Sequence, residues 1–155
     1  MAEEFEISIV EAKRLIEAWF SRFPLARDFI LKCREAPLRQ QTMVTVFGRK
    51  KRPQLVTRDR ARNLQNEAAN FPHQSTASDL TLHSGIKLMP IYKKMGIKIV
   101  NIVHDSLVLS CPNNEALIQE GIRIGCDVME ETPRLWGLNK VPFTTDHKVL
   151  DRWGK

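Results

Sequence analysis

Cysteine is scarce and unpaired in this sequence: Cys33, Cys111 and Cys126 are widely spaced, odd in number and never set in a Cys-x-x-Cys pattern. That argues against a disulfide framework or a zinc site and for a reducing compartment. No apolar run approaches membrane-spanning length, so no membrane is expected as a partner. The opening Met1-Ala2-Glu3-Glu4-Phe5-Glu6 is acidic and lacks the apolar centre of a secretory leader, which implies a soluble, cytoplasmic protein. Internal repeats, low-complexity tracts and a convincing interdomain linker are also missing. What remains is ordinary globular material: 155 residues, 43% hydrophobic and 27% charged, enough for one domain with a real core. The net charge of +6 favours a polyanionic partner.

Local signals predict a mixed α+β chain. Ser8 and Glu11 form a capping box ahead of Ala12, Leu15, Ile16, Trp19 and Phe20, which recur at helical spacing. Pro24 ends that helix and suits the first turn of the next, to about Cys33. Thr42 to Phe47 alternates as a strand and stops at Gly48. A helix from about Arg58 to Ala69 is expected to halt before Pro72, and another from Thr76 to about Lys94 to bury Leu80, Ile86 and Leu88, with Gly85 and Pro90 favouring a kink. Asn113-Asn114-Glu115 opens a further helix through Leu117, Ile118, Ile122 and Val128, and Val141 to Thr145 is the last strand expected. Three strand segments give a narrow sheet. The apolar faces of the first two helices, with Trp19, Phe20, Phe23, Phe29 and Ile30, exceed what that sheet can cover, so the chain looks like part of something larger.

Chemistry concentrates in three stretches. His104-Asp105-Ser106 lies between the β-branched runs 97–103 and 107–111, which read as a hairpin whose tip carries one carboxylate. Such an acid suits Mg²⁺, a hard cation that prefers oxygen ligands, although Asp is also simply a good turn residue. Between Gly48 and Arg62, Arg49, Lys50, Lys51, Arg52, Arg58, Arg60 and Arg62 are opposed by Asp59 alone. That cluster suits phosphate contacts or a solvated basic loop, and its lack of interleaved aromatics disfavours a stacking platform for single strands. Asn70 to Asp79 is a Pro-interrupted polar segment in which Asn70 and Gln74 have the donor and acceptor groups to read a minor groove, while Ser75 or Thr76 could equally cap a helix.

In order, Thr45-Val46-Phe47-Gly48-Arg49, the segment from Asn66 through Asn70, Gln74 and Asp79, and Val103-His104-Asp105-Ser106 resemble the C-terminal part of family A DNA polymerases. That family includes bacterial DNA polymerase I and many phage replicative enzymes. The likeness extends to Ile7-Ser8, Glu11-Ala12, Trp19-Phe20, Phe23-Pro24 and Trp153, and so spans essentially the whole chain. The resemblance implies that Asp105 is the motif C aspartate, one of two carboxylates holding the paired Mg²⁺ ions of the palm. It implies that His104 helps place the primer terminus, that Asn70 and Gln74 contact the primer-template minor groove, and that Arg49 with Lys50, Lys51 and Arg52 lies along the duplex backbone. By the same resemblance, residues 1–41 are helices at the end of the fingers, and 42–155 are the C-terminal part of a palm whose hairpin and further strand are packed by helices.

Departures shape the functional expectation. A glutamate usually follows the motif C aspartate, where this chain has Ser106; an arginine common in bacterial members is replaced by Asn66. His-Asp-Ser also occurs in single-subunit RNA polymerases, but Asn70 to Asp79 fits DNA polymerases better. No acid here has the setting of the first catalytic carboxylate, since Asp28 sits in an apolar helix and Asp59 among arginines. The expectation is therefore the smaller piece of a split, phage-type DNA polymerase, in a cell or in a phage-infected host. A larger chain would supply motif A and the fingers helix, with primer-template DNA and dNTP as ligands. The alternative is a non-catalytic DNA-binding fragment derived from a polymerase.

Overall fold

A computed structural model of the protein describes residues 7–152, so the acidic opening segment and Trp153 lie outside the described residues. The chain is α+β, and it forms two compact units, residues 1–72 and 73–155. No described helix is long and apolar enough to cross a membrane.

The first unit opens with α1 (Ile9–Arg22), whose N-cap Ser8 accepts from the Glu11 amide at 3.1 Å. Pro24, which has no N–H to leave unsatisfied, begins α2 (Pro24–Glu35) directly behind it. Ala12, Cys33 and Ala36 are buried, whereas Trp19, Phe23 and Leu25 remain exposed. The aromatic rings cluster among themselves, Trp19 packing edge-on to Phe20 at 5.3 Å. The strand expected over Thr42–Phe47 is shorter than its alternation suggests. Only β1 (Met43–Val44) pairs with β2 (Lys50–Lys51), in the register Met43 opposite Lys51. Thr45 leaves the ladder because its side chain and backbone close the turn instead: its Oγ1 accepts from the Arg49 amide at 3.3 Å, and Gly48 completes the bend at φ 78°.

Helix α3 (Ala61–Met95) corrects two expectations. Neither Pro72 nor Pro90 stops it, and no fresh helix starts at Ser75 or Thr76; 35 residues run as one element. A proline in a helix interior removes one hydrogen bond and costs about 3 kcal/mol. Burial recurring at helical spacing offsets that cost, through Leu64 and Ala68 in the first unit and Asp79, Leu80, Ser84, Leu88 and Tyr92 in the second. Ile86, expected in the core, is 64% exposed. The buried position is its neighbour Gly85, where an added Cβ would lie 3.6 Å from Leu107 and 4.0 Å from Ile102. A small residue is what lets the following hairpin lie against the helix.

That hairpin joins β3 (Lys98–Val103) to β4 (Ser106–Ser110), with Val103 opposite Ser106 and a bulge between Ile99 and Asn101. Helix α4 (Glu115–Leu135) is capped by Asn114, whose Oδ1 accepts from Leu117 N at 3.0 Å. The second unit's core is Leu88, Tyr92 and Ile97, packed by Leu107, Leu117, Ile124 and Val128. Burying a side chain such as Leu88 contributes roughly 1.5–3 kcal/mol. The last predicted strand, Val141 to Thr145, is irregular: Val141 and Phe143 are exposed. Pro142 has no amide to donate, and Thr145 gives its amide and hydroxyl to the Glu130 carboxylate, both at 2.9 Å, rather than to a ladder.

Candidate functional site

The sequence-derived residues fall into three local groups. The first is the turn of the β3–β4 hairpin. Two residues, His104 and Asp105, connect the strands, and His104 adopts φ 54°. That left-handed conformation closes a two-residue turn with the twist of the flanking strands. Both side chains are exposed. No hydrogen bond or ion pair engages the Asp105 carboxylate among the described residues. Half-buried Val103 and Leu107 anchor the strands just behind it. The result is a free hard-oxygen donor on a fixed support.

Among the described residues, no three His, Cys, Asp or Glu side chains gather in a way that could hold a metal ion. Asp105 fits a divalent cation as one ligand of a set and not as a complete site, because such ions want several oxygens.

The second group is on α3. Asn70, at the end of the first unit, and Gln74, at the start of the second, are both exposed residues of α3. The sequence placed them in a broken segment; the helix gives them a common backbone instead. Near them Ser75 is buried, and its Oγ has no hydrogen-bond partner.

The third group is the basic ribbon. Lys50 and Arg52 are exposed and unengaged among the described residues. Lys51 turns the other way, to an ion pair with Glu67 at 3.2 Å, with its Nζ 6.0 Å from the centre of the Phe71 ring. Glu67 was missed in the sequence because it lies beyond the basic stretch, sixteen residues from its partner. Within that stretch, a hydrogen bond from the Thr57 hydroxyl leads the contacts that hold Asp59 below the usual carboxylate range.

An open cleft of about 500 Å³ lies beside Lys87, Asp127, Glu130, Glu131 and Arg134. Its acids are committed to structure: Asp127 pairs with Arg123 at 2.9 Å, Glu131 with Arg134 at 3.4 Å, and Glu130 holds Thr145.

The family model described as DNA polymerase family A matches residues 1–155. The chain belongs to that family. As a family A polymerase sequence it is 35% identical over 156 residues to the thermostable DNA polymerase I of Thermus aquaticus, which covers 99% of this chain and 18% of that relative. It is 26% identical over 114 residues to DNA polymerase theta of Caenorhabditis elegans, covering 72% of this chain and 7% of that one. Among solved structures, the POL domain of Pol1 from M. smegmatis, in complex with DNA primer-template and dNTP, superposes with a TM-score of 0.70 at 26% identity. The match covers 84% of this chain and 24% of that one. This family A sequence thus spans less than a fifth of the length of the curated relatives named here.

Proposed function

We propose that this chain contributes the C-terminal part of a DNA-directed DNA polymerase, a nucleotidyltransferase active only with a complementary chain. Residues 1–41 are read as helices at the end of the fingers and 42–155 as palm. One observation carries the reading: an unengaged, exposed Asp105 carboxylate at the two-residue turn of a hairpin packed on the core. Asp105 would serve as one ligand of a two-Mg²⁺ site. Bound there, Mg²⁺ supplies Lewis-acid stabilisation of the attacking and leaving oxygens of an in-line phosphoryl displacement.

The chain's own residues bind and orient. His104, beside Asp105 on the turn, would place the primer terminus. Asn70 and Gln74 would test pair geometry from the minor groove, where acceptors recur on every base pair. Arg49, Lys50 and Arg52 would follow the duplex backbone, which gives affinity without sequence preference; Lys51, the fourth cation, serves it indirectly. Further carboxylates and the dNTP-binding fingers helix come from another chain carrying motif A. The exposed aromatic face of α1 and α2 and a two-stranded sheet with unpaired edges support such a partner. Free cysteines fit a reducing cytoplasm.

Ser106 beside Asp105, where the family usually has a glutamate, favours a second reading: a DNA-binding fragment without catalysis. Primer extension separates the two. The chain, a larger polymerase chain carrying motif A, and their mixture are assayed with primer-template, dNTP and Mg²⁺. Synthesis confined to the mixture and abolished by Asp105→Ala, with duplex binding unchanged, supports the polymerase reading. Full activity of the larger chain alone supports the second.

A further inference from the structure

Within the basic ribbon, β2 does not present its cations alike. Successive side chains of a strand point to opposite faces. Lys50 and Lys51, neighbours on β2, therefore face opposite ways, and Arg52, just beyond the strand, is exposed like Lys50. The structure agrees in detail. Lys51 is half-buried, its side chain 25% exposed, and its ammonium lies 3.2 Å from Glu67 Oε2. The same ammonium stands 6.0 Å from the centre of the Phe71 ring. Glu67 and Phe71 are four residues apart on α3, so one helical face offers Lys51 a carboxylate and an aromatic ring together.

We propose that Glu67 is a positioning residue. It retains Lys51 as an internal cation tying β2 to α3, so that the ribbon offers Lys50 and Arg52 to phosphates and withholds Lys51. In this role Glu67 sets the number of backbone contacts the ribbon can make. The inference rests on the proposed binding of duplex DNA by this ribbon.

Each phosphate neutralised by a lysine or arginine steepens the dependence of log K on log salt by about 0.9. The experiment measures that slope for a primer-template duplex with the full chain and its variants, together with amine labelling of the DNA-free protein read by mass spectrometry. Lys50→Met is expected to flatten the slope by about 0.9, whereas Lys51→Met leaves it unchanged. Glu67→Gln frees Lys51, steepens the slope by about 0.9 and tightens binding roughly fivefold to tenfold at 0.1 M salt. Glu67→Asp, which keeps the charge, retains the wild-type slope. In a Lys51→Met background, Glu67→Gln steepens nothing further, which distinguishes release of Lys51 from mere loss of a negative charge. Lys51 should label more slowly than Lys50, and faster once Glu67 is Gln.

A flattening by Lys51→Met equal to that by Lys50→Met overturns the inference and leaves the DNA-binding reading intact. So does a Glu67→Gln effect that persists without Lys51. If Lys50→Met changes nothing, the DNA-binding reading fails and the inference with it. Should Lys51→Met not fold, Lys51→Arg replaces it: the pair survives, and a slope different from wild type overturns the inference.

Discussion

The hydroxyl of Tyr92 donates a 2.8 Å hydrogen bond to the carbonyl oxygen of Gly121, joining the last turns of α3 to the middle of α4. The phenol fits because α4 carries glycine where it passes. A Cβ at Gly125 would stand 2.5 Å from the Tyr92 oxygen, and one at Gly121 would stand 2.7 Å from Ile97 Cδ1.

Gly125→Ala should therefore destabilise more than Gly121→Ala. At position 121 the intruding atom is the end of an aliphatic chain that can rotate. At 125 a rigid phenol must move and give up its hydrogen bond. Overpacking of this kind costs about 1–3 kcal/mol, partly offset by the better helix propensity of Ala. Urea unfolding of both variants, alongside Tyr92→Phe at about 1 kcal/mol, provides the scale.

Tyr92 is the only tyrosine, so its ionisation can be followed alone by ultraviolet absorbance. Burial, followed by the nearby Cys126 and Cys111 sulfurs, pushes its pKa up to about 12. The folded state thus keeps the proton after the unfolded chain, with its ordinary pKa of 10.0, has lost it. The stability from this group is complete below that ordinary value and is lost as pH rises through the folded one. Alkaline unfolding that sets in within this interval in wild type, and is blunted in Tyr92→Phe, is the expected result. An absorbance titration at the ordinary tyrosine pKa in the folded protein would contradict it.

The Thr145 amide, then the Thr145 hydroxyl, holds Glu130 below the usual carboxylate range. Because the folded value is depressed, this contact stabilises above the unfolded carboxylate pKa and is lost as pH falls through the folded one. Acidification, or Glu130→Leu at neutral pH, should free residues 139–152. Hydrogen exchange at the Thr145 amide reads this directly, and α4 should keep its protection in both cases.

At the hairpin tip, His104→Gly and His104→Val should part company. Glycine accepts a φ of 54° freely, whereas a β-branched residue is strained there by about 1–2 kcal/mol. Thermal melts should rank His104→Val below wild type and His104→Gly near it. Asp105→Ala should leave the melt almost unaltered, since no hydrogen bond or ion pair among the described residues holds its carboxylate.

What could be read from sequence was what short-range chemistry decides. Ser8, Pro24 and Asn114 mark helix starts because their caps act within three residues, and the β-branched runs around His104-Asp105 announce a hairpin. The reading of α3 failed at Pro72 because a local breaker rule competes with burial of Leu64, Leu88 and Tyr92, which no window around the proline contains. Val141 to Thr145 alternates like a strand, but a strand needs a ladder partner, and here Glu130 takes the Thr145 amide. In the candidate site, the exposure of Asp105 was legible. The helical setting of Asn70 and Gln74 and the Glu67–Lys51 pair were not, since both depend on how distant segments are brought together.

The backbone at residue 104 carries a consequence for how variation there should be weighed. A turn selected for shape alone would drift toward glycine or asparagine, the residues most at ease at positive φ. Histidine at that place is exposed, and no hydrogen bond or ion pair among the described residues holds its ring. Its persistence among natural variants would be a record of selection on what the imidazole does, separable from selection on the bend.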